Sequence, residues 1–155
     1  MIQLTGFTTT SQSFYLNLYD KMVDDGGDEL TISPLVSITS QETKITKNFI
    51  PTADYTDKLR CVKMTVDVVV EGSEDLDGAK IYLGNRSYPY GLYDVTIYQN
   101  SISAPTNLNP SAGTIKATLW KGLLNLNEKA GNKAVTYTEY DVTQQQNVYI
   151  TNASI

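Results

Sequence analysis

Residues 61–70 read CVKMTVDVVV, and the spacing of their apolar side chains decides the fold class. Val62, Met64, Val66, Val68 and Val70 fall on one face, alternating with Lys63, Thr65, Asp67 and Val69. That period of two is the repeat of an extended chain with one face buried, whereas a helix would repeat near 3.6. Most of the run is β-branched, which suits a pleated, packed surface. Cys61 heads the strand and is expected to act as a small buried hydrophobe.

The same period recurs outward in both directions. SFYLNLYD (13–20) sets Phe14, Leu16 and Leu18 against Tyr15, Asn17 and Tyr19, and LYDVTIYQ (92–99) sets Tyr93, Val95 and Ile97 against Asp94, Thr96 and Tyr98. LTISPLVSI (30–38), KITKNFI (44–50), KIYLG (80–84), TIKATLWKGLLNL (114–126), VTYTEYDV (135–142) and NVYIT (147–151) complete the series. Pro34 cannot donate to a ladder, so the third strand should be an edge or carry a bulge there. In TIKATLWKGLLNL the apolar phase changes near Gly122, which is expected to mark a bulge, while Trp120 is expected at the centre of the core.

Between these runs lie turn-forming stretches such as DDGGDE (24–29), EGSEDLDG (71–78), NRSYPYG (85–91) and SISAPTNLNPSAG (101–113). PTADYTDKLR (51–60) also reads as a connection, with room for one helical turn. Roughly eight to ten short strands at this spacing predict an all-β fold, an antiparallel β-sandwich of immunoglobulin-like or jelly-roll topology. One domain over residues 1–155 accommodates them, with strand-like interaction segments at both termini.

Composition narrows the chemistry. The 155 residues carry a net charge of −5, are 41% hydrophobic and 19% charged, and contain one cysteine and no histidine. Acidity with scattered lysines disfavours nucleic acid, and no run approaches the ~20 apolar residues that span a bilayer. A lone cysteine excludes an internal disulfide, and without histidine there is no Ser-His-Asp or Cys-His arrangement. The expectation is a protein that is not an enzyme and uses no cofactor. The opening MIQLTGFTTTSQ lacks the basic and apolar segments of a secretory signal, so synthesis in a cytoplasm is expected.

Four groups of side chains are candidates for function. Asp75 and Asp77, beside Gly78 in an acidic loop with Glu71 and Glu74, are hard oxygen donors and a weak calcium candidate without EF-hand spacing. Asp67 and Asp94 lie on polar strand phases, where a carboxylate pair could in principle serve a glycosidase. Tyr88, Tyr90, Tyr93 and Tyr98 could stack on sugar rings as a carbohydrate-binding module does. Alternatively, Tyr88, Tyr90 and Tyr98, together with Asn107 and Asn109 of the following loop, could contact other proteins, since tyrosine suits surfaces that are half wet and half apolar. Tyr93 follows the apolar phase and belongs to the core. The sequons at Asn85 and Asn152 are read as accidental.

The order SFYLNLYDK (13–21), GLYDVTIYQ (91–99), NLNP (107–110), WKGLLNL (120–126) and EYD (139–141) followed by NVYIT (147–151) resembles small virion proteins of tailed bacteriophages. The resemblance implies a structural role: a β domain that decorates the capsid or assembles at the head–tail neck. Its partners would be other virion proteins, whether capsid, portal or tail components, and itself, with the protein made in the bacterial host cytoplasm and residing in the virion. The alternative kept beside it is a carbohydrate-binding module of a phage or cell-surface receptor-binding protein.

Overall fold

A computed structural model describes residues 1–6, 10–26, 32–54 and 61–129. Among the described residues, nine strands form two packed sheets: β1 (Ile2–Thr5), β2 (Gln12–Leu16), β3 (Ser33–Ser40), β4 (Thr46–Phe49), β5 (Thr52–Asp54), β6 (Val62–Val69), β7 (Lys80–Tyr82), β8 (Gly91–Asn100) and β9 (Ile115–Asn127), with a 3-10 turn at Tyr19–Lys21. The expected all-β sandwich is what the chain forms. The expected strands at 135–142 and 147–151 lie outside the described residues.

In β6, Val62, Met64, Val66 and Val68 are sealed from solvent, as the alternation requires. Val70 is not the fifth member of that face: it lies beyond the strand and is 58% exposed. Its carbonyl accepts the Ser73 N–H to open a turn, and Gly72 occupies φ 83°, a region that glycine enters without strain. Cys61, just before the strand, is half-buried rather than buried.

The sheet orders are β1-β9-β8-β3-β4 and β2-β6-β5, with β7 also paired to β6. Lettered in chain order, β9-β8-β3-β4 is the G-F-C-C′ sheet of a variable-type immunoglobulin sandwich, and β2-β6-β5 is its B-E-D sheet. Near the start of β8, the F position, the Tyr93 hydroxyl donates to the Pro89 carbonyl at 2.5 Å, which is the tyrosine corner of that architecture. Two residues on, where antibody domains carry a cysteine, stands buried Val95. The topology is therefore immunoglobulin-like and not a jelly roll. Phe14, Met64 and Val66 from one sheet meet Ile38, Val95 and Ile97 from the other in one core.

Two strands have no counterpart in the sequence reading. In β1 only Ile2 and Leu4 alternate, too few positions for a period to show. Thr52–Asp54, where a helical turn had room, is a strand whose single small apolar side chain, Ala53, packs against the core. Pro34 behaves as expected: β4 pairs with β3 only from Val36 to Thr39, so β3 is an edge on that side at Pro34.

The expectations for β9 need correction. Ile97 pairs with Trp120 and Tyr98 with Thr118, so the extra residue is Leu119; a second shift leaves Lys116 extra. Gly122 sits in regular register opposite Val95. What demands glycine there is the Trp120 ring, whose Cη2 would lie 2.2 Å from an added Cβ. Trp120 itself is half-buried and packs on the core from its rim, while Tyr93 and Phe49 are fully enclosed.

Candidate functional site

The tyrosines do not assemble into a row. Tyr93 is buried on the inner face of β8, and desolvation raises its hydroxyl pKa far above the ordinary tyrosine range. Tyr88 donates to the Thr46 carbonyl at 3.2 Å, and its ring carries the Lys47 ammonium 4.3 Å from its centroid. Lys47 is only 7% exposed, and its charge is met by the Glu74 carboxylate and by the Tyr82 carbonyl at 2.9 Å. Burial, then the charge of Glu74, raises the Tyr88 pKa. Tyr90 packs against the core with its ring over two glycines: a Cβ on Gly6 would come within 2.6 Å of the ring and one on Gly84 within 2.7 Å. Tyr98 is half-buried on the opposite face, between Leu35 and Thr118.

Asn107 and Asn109 organise their own loop. The Asn107 amide donates to Asn100 Oδ1 at 3.1 Å and to the Asn109 carbonyl at 2.9 Å, and buried Asn100 returns a bond to the Asn107 carbonyl at 3.0 Å. Asn109 Oδ1 accepts the Ser111 N–H at 2.9 Å, a local turn of the kind asparagine favours.

The acidic loop divides. Glu74 turns inward to Lys47, whereas the Asp77 carboxyl lies close enough to Asp75 for a hydrogen bond between them, and that bond followed by the charge of Asp75 raises the Asp77 pKa. Among the described residues, no three acidic, histidine or cysteine side chains converge as a metal site. Asp67 and Asp94 stand on the outward faces of different sheets, so the sandwich separates them; Asp94 accepts the Gln41 amide at 2.9 Å.

What sequence reasoning missed is the edge of β9. β8 flanks this strand along its length on one side, but on the other β1 pairs only with Leu124 to Asn127. Among the described residues, no strand pairs with residues 115–123 on that side. Backbone groups on such an edge offer a template for another strand. Facing it is the segment after β2: Leu18 is fully buried as an anchor, and Asn17 Oδ1 accepts the Tyr19 N–H at 3.1 Å to start the 3-10 turn. Between turn and strand lies an open cleft of about 550 Å³, walled by Asn17, Asp20 and Lys21 on one side and by Thr118, Trp120 and Lys121 on the other.

The chain beyond the turn is clamped below the cleft. Buried Gln99 accepts the Val23 N–H at 2.9 Å and donates to the Val23 carbonyl at 2.7 Å, copying with a side chain what a neighbouring strand would do. Asp25 accepts the Ile102 N–H at 2.8 Å and pairs with Lys116 at 3.0 Å. The Ile102 amide, then Lys116 and Ser101, hold its carboxyl pKa below the usual value. The cleft is therefore built on fixed walls. The only sequence signal for it was the aromatic Trp120 between two lysines, which a core assignment absorbed.

No known protein-family model matches the chain, and no curated protein does.

Proposed function

We propose that this protein is a structural subunit of a tailed-bacteriophage virion that works by protein–protein contact, on the capsid or at the head–tail neck. The observation that carries the reading is the edge of β9 over residues 115–123, with which no strand pairs on that side among the described residues, beside a firmly walled cleft. Edge strands in natural sandwiches are commonly shortened, bulged or covered, because an open edge recruits other chains. Here two bulges and the flanking lysines restrain that edge, and among the described residues no strand closes it. Main-chain pairing supplies affinity in strand addition, and pockets for alternate side chains supply specificity. The sequence resemblance to small virion proteins supports the same role.

Tyr88 and Tyr90 are engaged with Lys47, Glu74 and the glycines of their own fold, which supports taking β9 rather than these rings as the contact surface. The sugar-stacking alternative draws on those same rings and gains nothing from this packing. The test is co-assembly: tagged protein mixed with particles lacking it should be retained at fixed stoichiometry after sedimentation. A chain that never co-sediments with capsid, neck or tail intermediates would overturn the role.

A further inference from the structure

We infer that the outward face of the β2-β6-β5 sheet carries a binding site for a neutral saccharide, held between Lys63 and Asp67 of β6 and stacked against Tyr15 of β2. The site goes beyond the subunit reading and does not rest on it, since it lies on the opposite sheet from β9.

The alternation that buries Val62, Met64, Val66 and Val68 turns Lys63, Thr65 and Asp67 outward, where each is half-buried. Residues directly opposite in antiparallel strands share a face, so the register extends this row sideways. Lys63 stands between Tyr15 and Asp54, and Thr65 stands between Ser13 and Thr52. Successive rungs lie about 6.6–6.8 Å apart along β6 and neighbouring strands about 4.8 Å apart, a grid on the scale of a sugar ring and its hydroxyls. The floor is a cleft of about 330 Å³, bordered near Asp67 by Ser11 and by the backbone of Gly78 and Ala79. The Ala79 carbonyl accepts the Asp67 N–H at 2.8 Å, which ties that wall to β6. With β2 paired to one side of β6 and β5 to the other, the side chains are positioned before a ligand arrives.

The lining decides the class of ligand. One ammonium against two carboxylates, Asp54 and Asp67, makes the cleft negative, which opposes phosphates and carboxylated sugars. Its two apolar side chains, Val66 and Ala79, are buried, so a hydrocarbon ligand would find no surface there. What remains is an ammonium that donates, carboxylates that accept and hydroxyls that do both. A ring of sugar hydroxyls, each a donor and an acceptor, is the complement of that set. Among the described residues, Lys63 and Asp67 have no ion-pair partner, so both keep their hydrogen-bonding capacity for a ligand, and bonds to charged groups are the stronger kind. The Ser13 and Thr65 hydroxyls bond one another at 2.9 Å, which holds the middle rung in place. At the Lys63 rung Tyr15 is 58% exposed, a ring not among those the sequence pointed to, and it offers an aromatic face to the C–H side of a sugar.

The experiment titrates the isotope-labelled full chain with glucose, galactose, mannose, N-acetylglucosamine, maltose and lactose, each to about 10 mM, ten times a millimolar dissociation constant. Saturable amide shifts should concentrate at Thr52, Lys63, Thr65 and Asp67 for at least one sugar. Asp67→Asn and Tyr15→Ala should each weaken that binding at least about tenfold with the melting temperature unchanged, while Asp94→Asn on the other sheet should bind as wild type does. No saturable shift with any of these sugars overturns the site, as do shifts confined to another surface or binding that survives both variants. Glucuronic acid bound as tightly as glucose overturns the assignment to neutral sugars. Co-sedimentation with particles is a separate readout that Asp67→Asn should leave intact, so failure of this site and failure of the subunit reading are distinguishable.

Discussion

Replacing Gly122 by alanine tests how β9 and its cleft are built. The new methyl would sit 2.2 Å from Trp120 Cη2 and 2.5 Å from Cζ2, against an ordinary carbon contact of about 3.5–4.0 Å. The backbone cannot yield, because Gly122 is held in register opposite Val95 in the middle of the β8–β9 pairing. The indole can, since it lies half-buried beside an open cleft. A buried tryptophan removes about 150–250 Å² from water. Moving half of that out costs about 2–3 kcal/mol at about 25 cal/mol per Å². Alanine returns about 0.4–1 kcal/mol by restricting the unfolded chain. The net loss of about 1–2.5 kcal/mol should lower the melting temperature by about 3–8 °C in a domain of this size. The chain has one tryptophan, so intrinsic fluorescence reports the same event. Its emission should shift to the red and become more open to a collisional quencher. Unchanged emission with an unchanged melting temperature would refute the placement of the ring over Gly122.

The buried Lys47 ammonium gives an asymmetric pair of variants: Glu74→Ala strands a charge that is 7% exposed and should cost about 2–3 kcal/mol, discounted because Glu74 is about one-third open to water, whereas Lys47→Met removes the charge itself and should cost less. Urea titration ranks them, and the reverse order would contradict the assignment. Tyr90→Ser should destabilise the fold by about 2–3 kcal/mol, as the ring that covers Gly6 and Gly84 is lost, and a melt equal to wild type would place that ring in solvent. Tyr93→Phe should cost about 1 kcal/mol at neutral pH through its bond to Pro89. The pH dependence has a definite sign: Tyr93 is raised above its ordinary value of 10.0, so its contribution is complete below that pH and is lost as pH climbs toward the folded-state value. The phenylalanine variant should therefore show a shallower alkaline decline, and an identical slope would count against a sealed tyrosine. Gln99→Leu should release Val23, seen as faster amide exchange there with little change in the exchange of β6.

Much of the fold was legible because burial in a sandwich acts residue by residue. Val62, Met64, Val66 and Val68 follow from alternation alone, as do Tyr93, Val95 and Ile97. Alternation reports which face is wet, and nothing about which strand lies alongside. The choice between immunoglobulin-like and jelly-roll order thus depended on pairings such as Gln12 with Val66 and Asp94 with Leu123, which no local pattern contains. Short strands failed for a related reason: Thr52–Asp54 is held in its sheet by Lys63, Met64 and Thr65 of β6 and has little signal of its own.

The candidate site was hidden by the same limit, and the tyrosines show why. A half-apolar ring satisfies equally well a partner's surface, a buried lysine or the bare backbone of a glycine. Tyr88 took the second and Tyr90 the third, and the residues deciding this, Lys47, Gly6 and Gly84, lie in other strands or turns. The β9 edge is a more extreme case, since among the described residues it is defined by a mismatch of lengths: a strand of 13 residues is met on its outer side by one of 4. Neither sequence is unusual by itself. Only their parallel register, Ile2 against Leu124, leaves the lysine-flanked, tryptophan-bearing half of β9 without a paired strand on that side among the described residues, which is the arrangement that the proposed contact role draws on.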